Sequence, residues 1–250
     1  MLETYTFGAE NAAPPILIAH GLFGSARNWN VIAKRLAERR FVVSVDMRNH
    51  GASPWSAPHS YEAMAEDLAE VIARFGVADV VGHSMGGKAA MVLACARPDL
   101  VRRLVVADIA PVAYGHTQQG MIDAMRVVDL SAVETRGDAD RQLAAVVEDA
   151  GVRAFLLQSL DVKGRRWRFN LDQLEADMEA VIGFPEVSGA FEGEVLMLSG
   201  GASDYVLPEH RGRVKALFPK ARFARIPGAG HWLHAEKPRE FEAAVGAFLG

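Results

Sequence analysis

The chain has one cysteine, Cys95, so an intramolecular disulfide and a cysteine-rich metal site are both excluded. Cys95 falls in the apolar run AAMVLACA and reads as a small buried hydrophobe. A dominant sign of charge is also missing. Against 27 Lys and Arg stand 31 Asp and Glu, a formal net charge of −4. That balance offers no electrostatic capture of nucleic acid or an anionic membrane. The one local basic run, KGRRWRF (Lys163–Phe169), reads as a solvated lid or loop face rather than a phosphate site. No apolar run approaches the roughly 18 residues that span a membrane. The opening MLETYTFGAE lacks a basic stretch followed by an apolar one, so no secretory signal is expected. These absences point to a cytoplasmic protein with no membrane and no nucleic-acid partner.

What the chain does have is apolar material. Half of its 250 residues are hydrophobic, enough for a sizeable core in one large domain or two small ones. The runs Ile16–His20, Phe41–Met47, Val77–His83, Leu104–Ala110, Glu194–Gly200 and Arg222–Gly228 read as strands buried on both faces. Helical patterns lie between them at Trp29–Glu38, Tyr61–Phe75, Met85–Ala96, Glu209–Leu217 and Arg239–Leu249. In Tyr61–Phe75, the residues Met64, Leu68, Val71, Ile72 and Phe75 make a stripe of 3.6-residue period. Such alternation predicts an α/β fold with a mostly parallel sheet between helical layers, edged by Thr4–Phe7 as an antiparallel strand. From 112 to 191 the alternation stops, with only polar-rich helical patterns and no convincing strand. A stretch that long is expected to be a helical cap inserted into a core of residues 1–111 and 192–250, since long structureless loops are uncommon.

The stretch Gly82-His83-Ser84-Met85-Gly86 places a serine among glycines between a strand pattern and a helix pattern. It has two readings: Ser84 caps the helix, or Ser84 is a nucleophile held on a tight turn. Strand before and helix after favour the second. A serine hydroxyl needs a base to take its proton. The segment GAGHWLHAEKP supplies His231 just after the last strand, with His234 as its neighbour and rival. The oxyanion needs two backbone donors: the N–H of Met85, next after the serine, and the N–H of Leu22 in the HGLFGS loop after the first core strand. Phe23 then faces the acyl pocket, and His83, expected beside the turn, is a candidate for the same pocket.

With these residues in place, the chain resembles the α/β-hydrolase superfamily from end to end. HGLFGSARNW, DMRNHGASP, GHSMGGKAAM, VADIAPV and GAGHWLHAEKP look most like the branch of YbfF-type esterases, which cleave short to medium acyl esters and thioesters, acyl-CoA included. The resemblance implies a serine hydrolase with a helical cap over its pocket, a small-molecule ester or thioester as substrate, and no metal or other cofactor. Its assembly is left open between monomer and homodimer. The acid that orients the histidine has two candidates. Many members of the superfamily carry it in a G-x-x-D turn, here Gly201-Ala202-Ser203-Asp204. In the resembled branch it ends the strand after the nucleophile, which maps onto Asp108, while a serine, here Ser203, takes the usual acid position as an auxiliary. Asp108 is flanked by apolar residues, and a buried carboxylate requires a strong partner such as an imidazolium. On that ground Asp108 is preferred and Asp204 is the alternative. Phe155, Leu156, Trp167 and Phe169 of the cap are candidates for the acyl site, with packing as their other role. The same triad also serves carbon–carbon bond hydrolases and perhydrolases, and a hydrolase fold without turnover would act as a ligand receptor.

Overall fold

The computed structural model describes residues 1–250. Nine strands form: β1 Thr4–Phe7, β2 Ile16–Ala19, β3 Val42–Val45, β4 Ala78–His83, β5 Val101–Ala107, β6 Leu160–Asp161, β7 Arg166–Trp167, β8 Glu194–Gly200 and β9 Ala221–Ile226. Seven of them make one sheet in the order β1-β3-β2-β4-β5-β8-β9. β1 runs antiparallel to β3 and every other pairing is parallel. The helices are α1 Asn30–Leu36, α2 Tyr61–Ile72, α3 Met85–Ala96, α4 Gln119–Arg126, α5 Arg136–Leu143, α6 Ala150–Leu157, α7 Leu171–Ala176, α8 Met178–Ile182, α9 Arg211–Leu217, α10 Leu233–Glu236 and α11 Pro238–Leu249. None is long and apolar enough to cross a membrane.

The continuous apolar runs of the strands follow from burial on both faces. In β2, Leu17 and Ala19 join one apolar cluster while Ile16 and Ile18 join the other. β5 divides the same way, with Leu104 and Val106 on one face and Val105 and Ala107 on the other. Helix α2 starts where Ser60 accepts from the Ala63 amide and packs beside α3, burying Met64, Leu68, Val71 and Ile72 in the apolar cluster that also holds Leu17 and Val43 of the sheet.

β5 departs from its sequence pattern by starting at Val101, in register with Ala78 of β4, and ending at Ala107. It ends there because Asp108 turns into the left-handed region at φ 50°. The segment between β5 and β8 holds α4 to α8, and it also holds a hairpin that the reading of helices alone did not anticipate. β6 and β7 pair over two residues each, Leu160 with Trp167 and Asp161 with Arg166, too few for an alternation to be visible. The basic run lies in this hairpin, where Arg166 and Arg168 approach Asp161 at 3.6 and 3.7 Å.

Strand order reverses at β2, which has β3 on one side and β4 on the other. A crevice opens beyond the carboxyl ends of parallel strands at such a point. The loops after β2, β4, β5, β8 and β9 all reach this end of the sheet.

Candidate active site

Ser84 sits between β4 and α3 at φ 51°, ψ −120°, a conformation a non-glycine residue adopts only when its surroundings impose it. Two contacts impose it here. The Ser84 amide donates to Ala107 O at the end of β5, and the flanking glycines allow backbone to pass against backbone. A Cβ on Gly82 would lie 2.4 Å from Gly86 O, and one on Gly86 would lie 2.4 Å from Ala19 O, so neither position accepts a side chain. Ser84 occupies the N-cap position of α3, yet its hydroxyl makes no capping bond. Its Oγ lies 3.1 Å from His231 Nε2 instead.

The other ring nitrogen of His231, Nδ1, lies 2.8 Å from Asp108 Oδ2. A carboxylate only accepts, so Nδ1 carries the proton and Nε2 is left to accept from Ser84. Asp108 is fully buried. Its two oxygens take the Gly200 amide at 2.8 Å and the Ser203 hydroxyl, which with His231 gives three donors to one buried carboxylate. Asp204 is exposed and bonds to none of these groups. The arrangement thus brings Ser84, His231, Asp108 and Ser203 together and leaves Asp204 outside.

His234, the rival to His231, is buried and stacks on Trp29 with ring centroids 4.1 Å apart and planes 4° apart. Burial, with His231 nearby, pushes its pKa down to about 3. His83 lies beneath the base, its Nε2 donating to His231 O at 2.8 Å. Burial holds His83 well below the usual histidine range, with the neighbouring His234 and His231 adding to the effect, and so it stays neutral.

The Leu22 and Met85 amides are unclaimed by any protein acceptor, and both residues line the same cavity as Ser84. Their neighbours are taken. Gly24 N donates to Gly21 O, and Phe23 N donates to His50 Nε2 at 3.2 Å, which fixes Phe23 at φ 58°.

These groups open into a cavity of about 330 Å³. Phe23, His83, Phe155 and Leu156 line it as expected from sequence. Trp167 and Phe169 do not, which corrects their assignment to the acyl site. Trp167 is 5% exposed, and its indole N–H is spent on Met125 O at 2.9 Å. Phe169 packs edge-on against Phe23 and His50, with centroids at 5.7 and 5.5 Å, supporting the wall from behind. Both belong to the hairpin strand and its continuation, which the polar-rich pattern concealed.

The cavity also has a side that sequence reasoning missed: Tyr61, Lys88, Tyr114, Val181, Ile182 and Trp232. Lys88 alone carried a signal, as the one charge in the apolar helix MGGKAAMVLACA, one turn beyond Ser84. It is buried without a carboxylate, and its Nζ donates to Ile182 O and Gly183 O. Desolvation lowers its pKa to about 7. Nowhere do three or more His, Cys, Asp or Glu side chains converge as metal ligands would.

The profile of the alpha/beta hydrolase family matches residues 16–244. The chain belongs to that family. Among its relatives, the sn-1-specific diacylglycerol lipase ABHD11 of Mus musculus is 46% identical over 248 residues, covering 94% of this chain and 81% of the mouse protein. The esterase YbfF of Escherichia coli K12 is 40% identical over 238 residues, covering 94% of this chain and 92% of the esterase. A solved marine microorganism esterase superposes with a TM-score of 0.93 at 37% identity, covering 99% of this chain and 98% of the other. The similarity to these members of the family spans the sheet, the site loops and the segment between β5 and β8.

Proposed function

We propose that the protein is a serine hydrolase that cleaves carboxylic esters or thioesters of short to medium acyl chains, acyl-CoA included, through an acyl-enzyme. One observation carries the reading: Ser84 Oγ, the His231 ring and the Asp108 carboxylate form an unbroken hydrogen-bonded chain whose reactive end faces the cavity. Relatives named as an esterase and a diacylglycerol lipase support ester chemistry.

In this reading Ser84 Oγ attacks the acyl carbonyl while His231 Nε2 takes its proton. The carbonyl oxygen becomes an oxyanion facing the N–H groups of Leu22 and Met85 and the positive end of α3. His231 then gives its proton to the departing alkoxide or thiolate. A water deprotonated by the same nitrogen attacks the acyl-enzyme, and Ser84 recovers its proton as the acid leaves. Asp108 keeps Nδ1 protonated and pairs with the transient imidazolium. Residues 112–191 act as the cap over a core of 1–111 and 192–250, with Phe155 and Leu156 of α6 and Val181 and Ile182 of α8 enclosing the acyl chain.

The test is labelling with a fluorophosphonate, followed by mass mapping, alongside turnover of p-nitrophenyl esters. The expected result is a single adduct on Ser84, absent from Ser84→Ala and His231→Ala, with kcat lowered ~10⁴-fold or more in both. Absence of both adduct and turnover in the unmodified chain would mark a ligand receptor on a hydrolase fold.

A further inference from the structure

The face of the His231 ring is covered. Tyr205 stacks on it with ring centroids 3.9 Å apart and planes 20° apart, the closest aromatic contact in the molecule. Tyr205 follows Asp204 in the loop after β8, and it is tied in place from two sides. Its carbonyl accepts from the Tyr114 hydroxyl at 2.8 Å, and that hydroxyl accepts from the Ala110 amide at 2.9 Å. One phenol oxygen therefore ties the Tyr205 backbone to the chain two residues beyond Asp108. Burial raises the Tyr114 pKa far above the phenol norm, so the hydroxyl keeps the proton it donates. The Tyr205 hydroxyl meets His116 Nε2 at 2.9 Å.

We propose that Tyr205 is a positioning residue for the hydrolysis, acting through His231. Its ring holds the plane of the imidazole along the line from Asp108 to Ser84, and its π face stabilises the imidazolium formed when Ser84 loses its proton. A cation centred over an aromatic face is favoured over the neutral ring, so the benefit exists only while His231 is protonated, in the charged intermediate and equally in the acid form of the free enzyme. The other groups facing His231 do not supply it. Asp108 meets the Nδ1 edge and Ser84 the Nε2 edge. His83, tilted by 42° with its ring centroid at 4.8 Å, and His234, whose ring centroid is 4.7 Å from that of His83, are both kept neutral by burial. Asp204, exposed next in sequence to Tyr205, carries the nearest further charge on that loop. Tyr205 is thus the one group in contact with the flat of the ring that gains when the ring becomes a cation.

The proposal rests on the serine-hydrolase reading, and the experiment separates the two. The wild type, Tyr205→Leu and Tyr205→Phe are compared for kcat and KM on a p-nitrophenyl ester across pH, for fluorophosphonate labelling rate and for thermal midpoint. Tyr205→Leu is expected to lower kcat and the labelling rate about 3- to 30-fold with KM little changed. The acid limb of its kcat/KM profile is expected to move to lower pH by about half to one unit. Tyr205→Phe, which keeps the ring and loses the contact with His116, is expected to recover most of the rate and to restore the limb. Labelling of wild-type Ser84 with an unmoved limb in Tyr205→Leu overturns the proposal and leaves the hydrolase reading intact. A loss in Tyr205→Leu that is equal at every pH and tracks a lower thermal midpoint also overturns it, as does a Tyr205→Phe variant as impaired as Tyr205→Leu. Absence of wild-type labelling overturns both.

Discussion

At the scale of single residues, Phe23, Ser84 and Asp108 are non-glycine residues with positive φ, at 58°, 51° and 50°, in the loops after β2, β4 and β5. Each such residue costs on the order of 1–3 kcal/mol, so the surroundings must hold it there. A named bond does so in every case: Phe23 N to His50, Ser84 N to Ala107 O, and Asp108 N to Leu198 O. Asp108 leaves the strand direction in this way and aims its carboxylate at Gly200, Ser203 and His231. An amide there cannot accept from every one of these donors and keep Nδ1–H fixed. Asp108→Asn is therefore expected to lower kcat by ~10³–10⁴-fold while the fold survives. Asp204→Asn is expected to stay within about threefold of wild type, because its side chain is exposed and outside the hydrogen-bonded chain. Steady-state rates for the two variants decide between the carboxylates.

At the scale of elements, α6 and the β6–β7 hairpin lie in the same segment but do different work. α6 presents half-buried Phe155 to the cavity, 5.4 Å from Trp232 between ring centroids. The hairpin turns Trp167 away from the cavity and into the packing behind α4. Phe155→Ala is expected to raise KM for longer acyl esters about 3- to 10-fold, from the lost apolar contact, with little effect on stability. Trp167→Phe removes a buried donor from Met125 O and is expected to cost about 1–2 kcal/mol of stability with KM unchanged. Denaturant midpoints and KM measured on both variants separate the roles. The reverse pattern would return Trp167 to the acyl site.

At the scale of the whole molecule, the buried histidines make stability depend on acid. His20, His50, His59, His83 and His234 are all buried, and burial is the leading cause that lowers each of their pKa values, to about 4 for His59 and about 3 for His234. The unfolded chain titrates them near 6.5, so below that pH it binds protons that the folded chain refuses. Stability is then highest above pH 6.5 and falls as pH drops through 6.5 towards 4. For His59 alone the interval from 6.5 to about 4 corresponds to roughly 3 kcal/mol at full protonation of the unfolded state. Urea unfolding at pH 8, 6.5, 5 and 4.5 is expected to show a midpoint that is flat above 6.5 and steeply lower below it. A midpoint independent of pH over this range would contradict neutral buried histidines.

Most of this architecture was legible before folding, for local reasons. Strands buried on both faces have no polar side to present, so β2 to β5 stand out as apolar runs, and α3 was bounded correctly by its glycine turn and apolar content. The pairing of Ser84 with His231 was also readable, since strand ends of a parallel sheet share one rim. Contacts between residues distant in sequence were not. Nothing local distinguishes Trp167 facing the packing from Phe155 facing the cavity, or marks Tyr205 as lying flat on His231, or shows that buried Lys88 meets the carbonyls of 182 and 183. Those outcomes depend on how the segment between β5 and β8 and the loops after β8 and β9 settle on the sheet, and side-chain direction there is set by packing against partners far along the chain rather than by any periodicity within it.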